Sequence, residues 1–181
     1  MNPQLQVFMR KGSFLAAFFL FCMHFSLQAD NVTGFWQTMD KNTNQPSSVI
    51  AVYPYQGKYY GKIIATYNKE GVINDTIYHP VSRADGIAGN PYYCGLDIVY
   101  DAKLNSEGDR YEGYVVDPRK GKIYNAEIWN RNGNLILRGK LFIFGKNVTW
   151  PPFPTKNFTA DFKKPDLATL VPNVLPPKNE N

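Results

Sequence analysis

The stretch KIYNAEIWNRNGNLILRG, running from Lys122 to Gly139, is two alternating runs joined at a turn. Tyr124, Ala126 and Ile128 share one face, while Asn125, Glu127 and Trp129 share the other, which is the two-residue period of a half-buried strand. Between the runs stands Asn132-Gly133, and both residues tolerate the positive φ that a tight hairpin demands. The pattern predicts a hairpin of Lys122–Asn130 with Asn134–Phe144. Immediately upstream, Pro118 to Gly121 breaks the chain after Tyr111–Asp117, and Lys120-Gly121 predicts a second hairpin. The three strands therefore form an antiparallel meander.

Working outward, Val49–Tyr55, Lys58–Tyr67 and Gly95–Leu104 have the same richness in Val, Ile, Tyr and Phe. No segment holds a helical period over three turns. Asn68–Tyr93 is the longest break and predicts an excursion with one short strand. Gly34-Phe35-Trp36 opens the β-rich part, and Leu137-Arg138-Gly139 lies on a late strand. Together they predict an all-β fold: a single small antiparallel up-and-down β-barrel over residues 30–164 whose ends meet. Trp36 would plug one end with Arg138 stacked on its face, a contact worth about 0.5–2 kcal/mol. After Trp150, Pro151, Pro152 and Pro154 are expected to stop regular pairing. Asn157–Phe162 could still lie against the barrel edge. Residues 165–181, rich in proline, read as a disordered, flexible tail.

The first residues carry an address. Arg10 and Lys11 precede the apolar run Ser13–Phe25, and Ser26-Leu27-Gln28-Ala29 supplies a small residue before a cut. This is the order of a signal peptide over residues 1–29. Its apolar run is shorter than the roughly 20 residues of a membrane-spanning helix. The expectation is an exported protein without a transmembrane span after cleavage. Losing Arg10 and Lys11 lowers the formal charge of +5 by two, to +3. Without a dense Lys/Arg run, nucleic-acid binding has little support.

Catalytic chemistry is sparsely supplied. Beyond the leader only Cys94 and His79 remain of their kinds, so an intramolecular disulfide is ruled out. Both sit in or beside the irregular excursion, and the plain reading is a buried, inert thiol and a loop histidine. A transition-metal site would need more ligands of these types. Glu112 and Glu127 fall on neighbouring strands, but alternation turns such acids outward as solvated charge. Tyrosines, Tyr53 and Tyr124 among them, suit sugar or headgroup binding and equally suit ordinary strand propensity.

Several of these motifs follow one order. Gly34-Phe35-Trp36-Gln37-Thr38, Gly57-Lys58-Tyr59-Tyr60-Gly61-Lys62-Ile63, Asp117-Pro118 with Gly121-Lys122-Ile123-Tyr124, Leu137-Arg138-Gly139 and Gly145 to Trp150 succeed one another along the chain. That succession resembles the bacterial secreted proteins of the domain of unknown function 2147 family. The resemblance implies a lipocalin-like barrel, export to the periplasm or envelope of a Gram-negative-type bacterium, and no established activity. Many members carry paired cysteines in the middle loop, whereas here only Cys94 is present. No catalytic residue or cofactor is implied. The expected role is non-enzymatic: a barrel holding a small lipid-like ligand, with Trp36, Tyr53, Tyr124 and Arg138 as candidate contacts. The alternative is an envelope protein-interaction module with a filled barrel, and an envelope hydrolase comes last. On the residues alone, the motif positions read more readily as fold determinants than as ligand contacts.

Overall fold

The computed structural model describes residues 31–141 and 144–178. The expected signal peptide lies outside the described residues.

Nine strands follow one another: β1 (Gly34–Met39), β2 (Pro46–Tyr55), β3 (Lys58–Tyr67), β4 (Ile73–Thr76), β5 (Asp97–Leu104), β6 (Tyr111–Asp117), β7 (Lys122–Arg131), β8 (Asn134–Leu141) and β9 (Phe144–Trp150). They form one antiparallel sheet in the order β1-β2-β3-β5-β6-β7-β8-β9, with the short β4 paired to β3. The up-and-down barrel expected from the meander is the observed fold. Asn132 and Gly133 adopt φ of 52° and 77°, as the hairpin turn requires. The excursion contains its one short strand, β4.

The ends meet just past β9. The Gln37 N–H donates to the Pro151 carbonyl and the Phe153 N–H to the Phe35 carbonyl, both at 2.8 Å, with Trp36 opposite Pro152. Prolines were expected to stop pairing here. They do not, because the closure asks Pro151 only for its carbonyl. Pro152 sits opposite Trp36, where neither residue must donate across the seam.

Inside, side chains stack in cross-strand layers. Trp36, Ile50 and Ile63 are register partners on β1, β2 and β3 and belong to the main core with Val99, Ile128 and Leu137. The Trp36 indole N–H donates to the Val32 carbonyl at 2.9 Å, and Val32 is fully buried. Toward the same end, the Tyr59 and Tyr111 rings pack with centroids 4.6 Å apart. The expected stacking of Arg138 on Trp36 is absent from the cation–π contacts among the described residues. Alternation explains why: Leu135 and Leu137 enter the core, so Arg138 lies on the other face.

Strict alternation fails at bulges. Ile64 is the extra residue where β3 shifts register against β2, so Ile63 faces the interior while Ile64 and Ala65 face out. Asp101, at φ 56°, marks a second bulge in β5. Gly113 sits opposite that bulge, and a Cβ there would lie 2.6 Å from the Tyr100 carbonyl oxygen and 2.7 Å from the Ala102 Cα.

The outer face of β1–β3 is apolar and covered. Phe35, Val49, Ala51 and Ile64 pack against Phe153, Phe158 and Phe162, so Asn157–Phe162 does lie on the barrel. The reading of residues 165–181 as a flexible tail needs correction for its described part. Leu167 and Leu170 pack on this same cluster and Leu175 on a third one around Ile87 and Leu96. The Asn173 N–H donates to Asp97 Oδ2 at 2.6 Å, and the Asp97 N–H donates back to the Asn173 carbonyl at 3.1 Å. Proline removes donors and stiffens the chain, and that stiffness suits a segment laid along a surface as well as a free tail.

Asp97 is the polar centre of that contact. It is 2 % exposed, pairs with Lys62 at 2.6 Å and accepts the Tyr53 hydroxyl proton at 2.9 Å. Its face lies outside the barrel, where a strand acid is ordinarily solvated, but the C-terminal segment seals it. Leaving Lys62 buried without its partner costs about 3–5 kcal/mol. The variant Asp97→Ala is therefore expected to lose about that much in urea unfolding, and a loss under about 1 kcal/mol would contradict the geometry. Gly113→Ala drives its Cβ into the β5 backbone at Tyr100 and Ala102, so a loss of about 1–3 kcal/mol is expected by the same measurement.

Candidate functional site

A cavity of about 420 Å³ opens at the end of the barrel where β1 and β3 finish and β2 begins. The layers explain its chemistry. Above Trp36, Ile50 and Ile63, the next cross-strand layer is Thr38, Ser48 and Thr66, again register partners. All three line the cavity, with Ile63, Ile98 and Trp150 contributing apolar surface. The interior therefore changes from packed hydrocarbon to a hydroxyl-rich wall within one layer. The far wall comes from Ser82 and Tyr93 of the excursion and from Asp117, Pro118 and Arg119 of the β6–β7 turn.

Charges at the rim are held by their turns. Asp117 Oδ1 accepts the N–H groups of Arg119 at 3.0 Å and Lys120 at 3.3 Å. Asp40 Oδ1 accepts those of Asn42 at 2.9 Å and Thr43 at 3.0 Å. The Thr43 and Asn42 N–H groups hold the Asp40 carboxyl below its usual range, with a smaller contribution from Arg119. Burial pushes the Tyr93 phenol up. The mouth thus offers hydroxyls and an exposed guanidinium above an apolar floor, a pairing suited to an amphipathic molecule.

The four candidate contacts named from sequence are not brought together here, and none is among the described residues lining the mouth. Trp36 is 5 % exposed in the core beneath it. Tyr53 lies on the outer side, donating to Asp97 under the C-terminal segment, with its phenol pushed up by burial first and Asp97 second. Tyr124 is half-buried on β7 opposite Val115. Arg138 is half-buried opposite Glu127 and Asn147, and its Nε is buried without a hydrogen-bond partner. The hydroxyl layer went unnoticed in the sequence. Its signal was the alternation itself, since Trp36 to Thr38 and Ile50 to Ser48 each step along one face from apolar to hydroxyl.

Further cavities lie outside the barrel. One of about 690 Å³ runs between the β3–β4 hairpin and Lys156–Phe162, and one of about 460 Å³ lies over β5–β8. Both are larger than the mouth. The smaller is lined mainly by charged side chains, Lys58, Asp101, Lys103, Glu112 and Lys140 among them. The larger combines Tyr67, Val72, Ile73 and Phe162 with polar residues on the outer side of the sheet, where Phe162 covers the barrel.

Glu112 and Glu127 are cross-strand partners, as neighbouring strands allow. Glu127 is bound by Lys140 at 2.5 Å and Arg110 at 3.1 Å. Burial pushes its carboxyl up, but these cations outweigh it and hold the group below its usual range. A general acid needs the opposite shift. Cys94 is buried, with Asp75 as its charged neighbour, and His79 is exposed. Burial first, and then Asp75, push the thiol well above its usual range. The thiol is expected to resist a disulfide exchange reagent at pH 8 in the folded protein and to react fully in denaturant. Rapid reaction in the folded state would show that Cys94 is accessible.

Comparison with known proteins agrees with this architecture. A search of curated proteins found no match. Among solved structures, the chain is similar to protein HP1028 from the human pathogen Helicobacter pylori, described as belonging to the lipocalin family. The TM-score is 0.59 at 16 % identity, covering 76 % of this chain and 94 % of that one. At that identity the likeness is one of fold. Residues 34–151 match the model of a family described as an uncharacterized protein conserved in bacteria, and they run from the opening of β1 to the first residue of the seam that closes the barrel. The chain belongs to this domain of unknown function 2147 family.

Proposed function

We propose that this protein is a non-enzymatic carrier or sensor, exported to the periplasm or cell envelope, that holds a small amphipathic molecule in the mouth of its barrel. The observation that carries this reading is the one-layer change from the apolar Trp36–Ile50–Ile63 layer to the Thr38–Ser48–Thr66 hydroxyl layer around a cavity of about 420 Å³. That volume is at the small end of the roughly 300–1,000 Å³ range of ligand pockets. The interior below is filled by Trp36, Tyr59 and Tyr111, so a long alkyl chain would not fit beneath the mouth. A short apolar part on Ile63, Ile98 and Trp150, with a polar group at the hydroxyl wall or Arg119, matches the surface. Export rests on the signal-peptide pattern of residues 1–29.

The filled lower interior also favours a second reading, a structural or protein-interaction module of the envelope. Native mass spectrometry of protein purified from its own envelope separates the two. The carrier reading expects a discrete added mass. Ser48→Trp, which places an indole in the mouth, should reduce that retained fraction at least about tenfold. A bare monomer mass from the native source, with nothing recovered by solvent extraction, would overturn the carrier reading in favour of the second.

A further inference from the structure

The two walls of the mouth are built differently. The strand wall of Thr38, Ser48 and Thr66 is fixed by sheet ladders. The opposite wall hangs on the excursion between β4 and β5. At its root, Asp75 accepts the N–H groups of Val81 at 2.9 Å and Ser82 at 3.0 Å. Within it, the Ala84 N–H donates to the Pro91 carbonyl at 2.8 Å and the Tyr93 N–H to the Ser82 carbonyl at 2.9 Å. Its tip is held from outside. The Ala88 N–H donates to the Pro176 carbonyl at 3.0 Å, the Lys178 N–H donates to the Gly86 carbonyl at 2.8 Å, and Ile87 pairs with Pro177.

The same tip meets the turn that carries Arg119. The Gly86 N–H donates to the Pro118 carbonyl at 3.1 Å, and the Gly86 and Gly121 backbones approach so closely that neither position leaves room for a Cβ. A continuous line of contacts thus runs from the C-terminal segment through the excursion tip to both parts of the far wall. The segment itself is anchored one step back, where Asn173 exchanges two backbone-mediated bonds with Asp97. Pro172, Pro176 and Pro177 lack N–H groups, so the donors that remain do the fastening.

We propose that residues 173–178 form a clasp that sets the mouth, pinned at the buried Asp97 and holding the excursion tip against the β6–β7 turn. Releasing the clasp leaves the barrel ladders intact and loosens only the wall made by Ser82, Tyr93 and Arg119. The consequence for a ligand rests on the reading of the mouth as a binding site, whereas the mechanical link does not.

Amide hydrogen exchange tests it in the full chain, in a chain ending at Leu175, and in Asn173→Pro. The shortened chain keeps the Asp97 anchor and loses the tip contacts, while the substitution removes the anchoring donor. The informative amides are Ala84, Gly86 and Tyr93, because none of them donates to the clasp. Their exchange is expected to quicken at least about tenfold in both variants, with Ile128 on β7 and Leu137 on β8 unchanged. Unchanged rates at Ala84, Gly86 and Tyr93 in the shortened chain would overturn the clasp. An equal acceleration at Ile128 and Leu137 would overturn it too, since the segment would then steady the whole barrel. If the three amides quicken and the full chain retains no ligand in native mass spectrometry, the clasp stands and the carrier reading falls.

Discussion

The structure depends on the seam where the chain after Trp150 meets β1. A single sheet of this length has two edges, and each edge strand presents unpaired N–H and C=O groups. Two hydrogen bonds, from Gln37 to Pro151 and from Phe153 to Phe35, join those edges. Once joined, the sheet has an inside, and only then do Trp36, Ile50 and Ile63 share a layer with Ile128 and Leu137. The seam also directs the chain onward across the outer face, where Phe153, Phe158 and Phe162 cover Phe35, Val49 and Ile64. Closure and outer cover are consequences of the same turn of chain.

The barrel has two polar arrangements with opposite logic. At the mouth, the hydroxyls of Ser48 and Thr66 line a cavity that a guest can enter, beside Thr38, whose own hydroxyl bonds with that of Ser47 at 3.0 Å. Under the C-terminal segment, Lys62, Asp97, Tyr53 and Asn173 satisfy one another in a sealed site. Burying a charge is costly unless it is paired and hydrogen-bonded, and Asp97 receives the Lys62 ammonium, a phenol and a backbone N–H together. The first arrangement keeps hydrogen-bonding capacity open to solvent; the second spends it on holding the chain in one conformation.

The strands were legible because period-two alternation and Asn132-Gly133 are local signals. Closure was legible in outline, from Gly34-Phe35-Trp36 at the head and the meander behind. What escaped was set by distant parts of the chain. The bulges at Ile64 and Asp101 change which residues face in, and nothing within a few positions announces them. Asp97 resembles any outward acid until Asn173 lies over it. Proline after Trp150 was read as a break, although a carbonyl acceptor and a residue outside the hydrogen-bonded pairs suit the seam. Of the residues named as ligand contacts, Trp36 belongs to the core and Tyr53 to the sealed outer site. The mouth is made by Thr38, Ser48 and Thr66, whose small side chains carry little weight in a search for conspicuous chemistry.

The seam has a consequence for how the chain comes into being. β1 pairs with β2 after a short loop, but its other edge waits for residues more than a hundred positions later, as the Trp36–Pro152 pairing shows. A chain delivered from its N-terminus holds an open edge at β1, and an uncovered Phe35–Val49–Ile64 face, until nearly all of it has arrived. Non-local pairing of this kind slows folding and lengthens the exposure of sticky intermediates. Protection of the nascent barrel by a holding factor would matter most in that interval, and a chain broken off at Trp150 would never leave it.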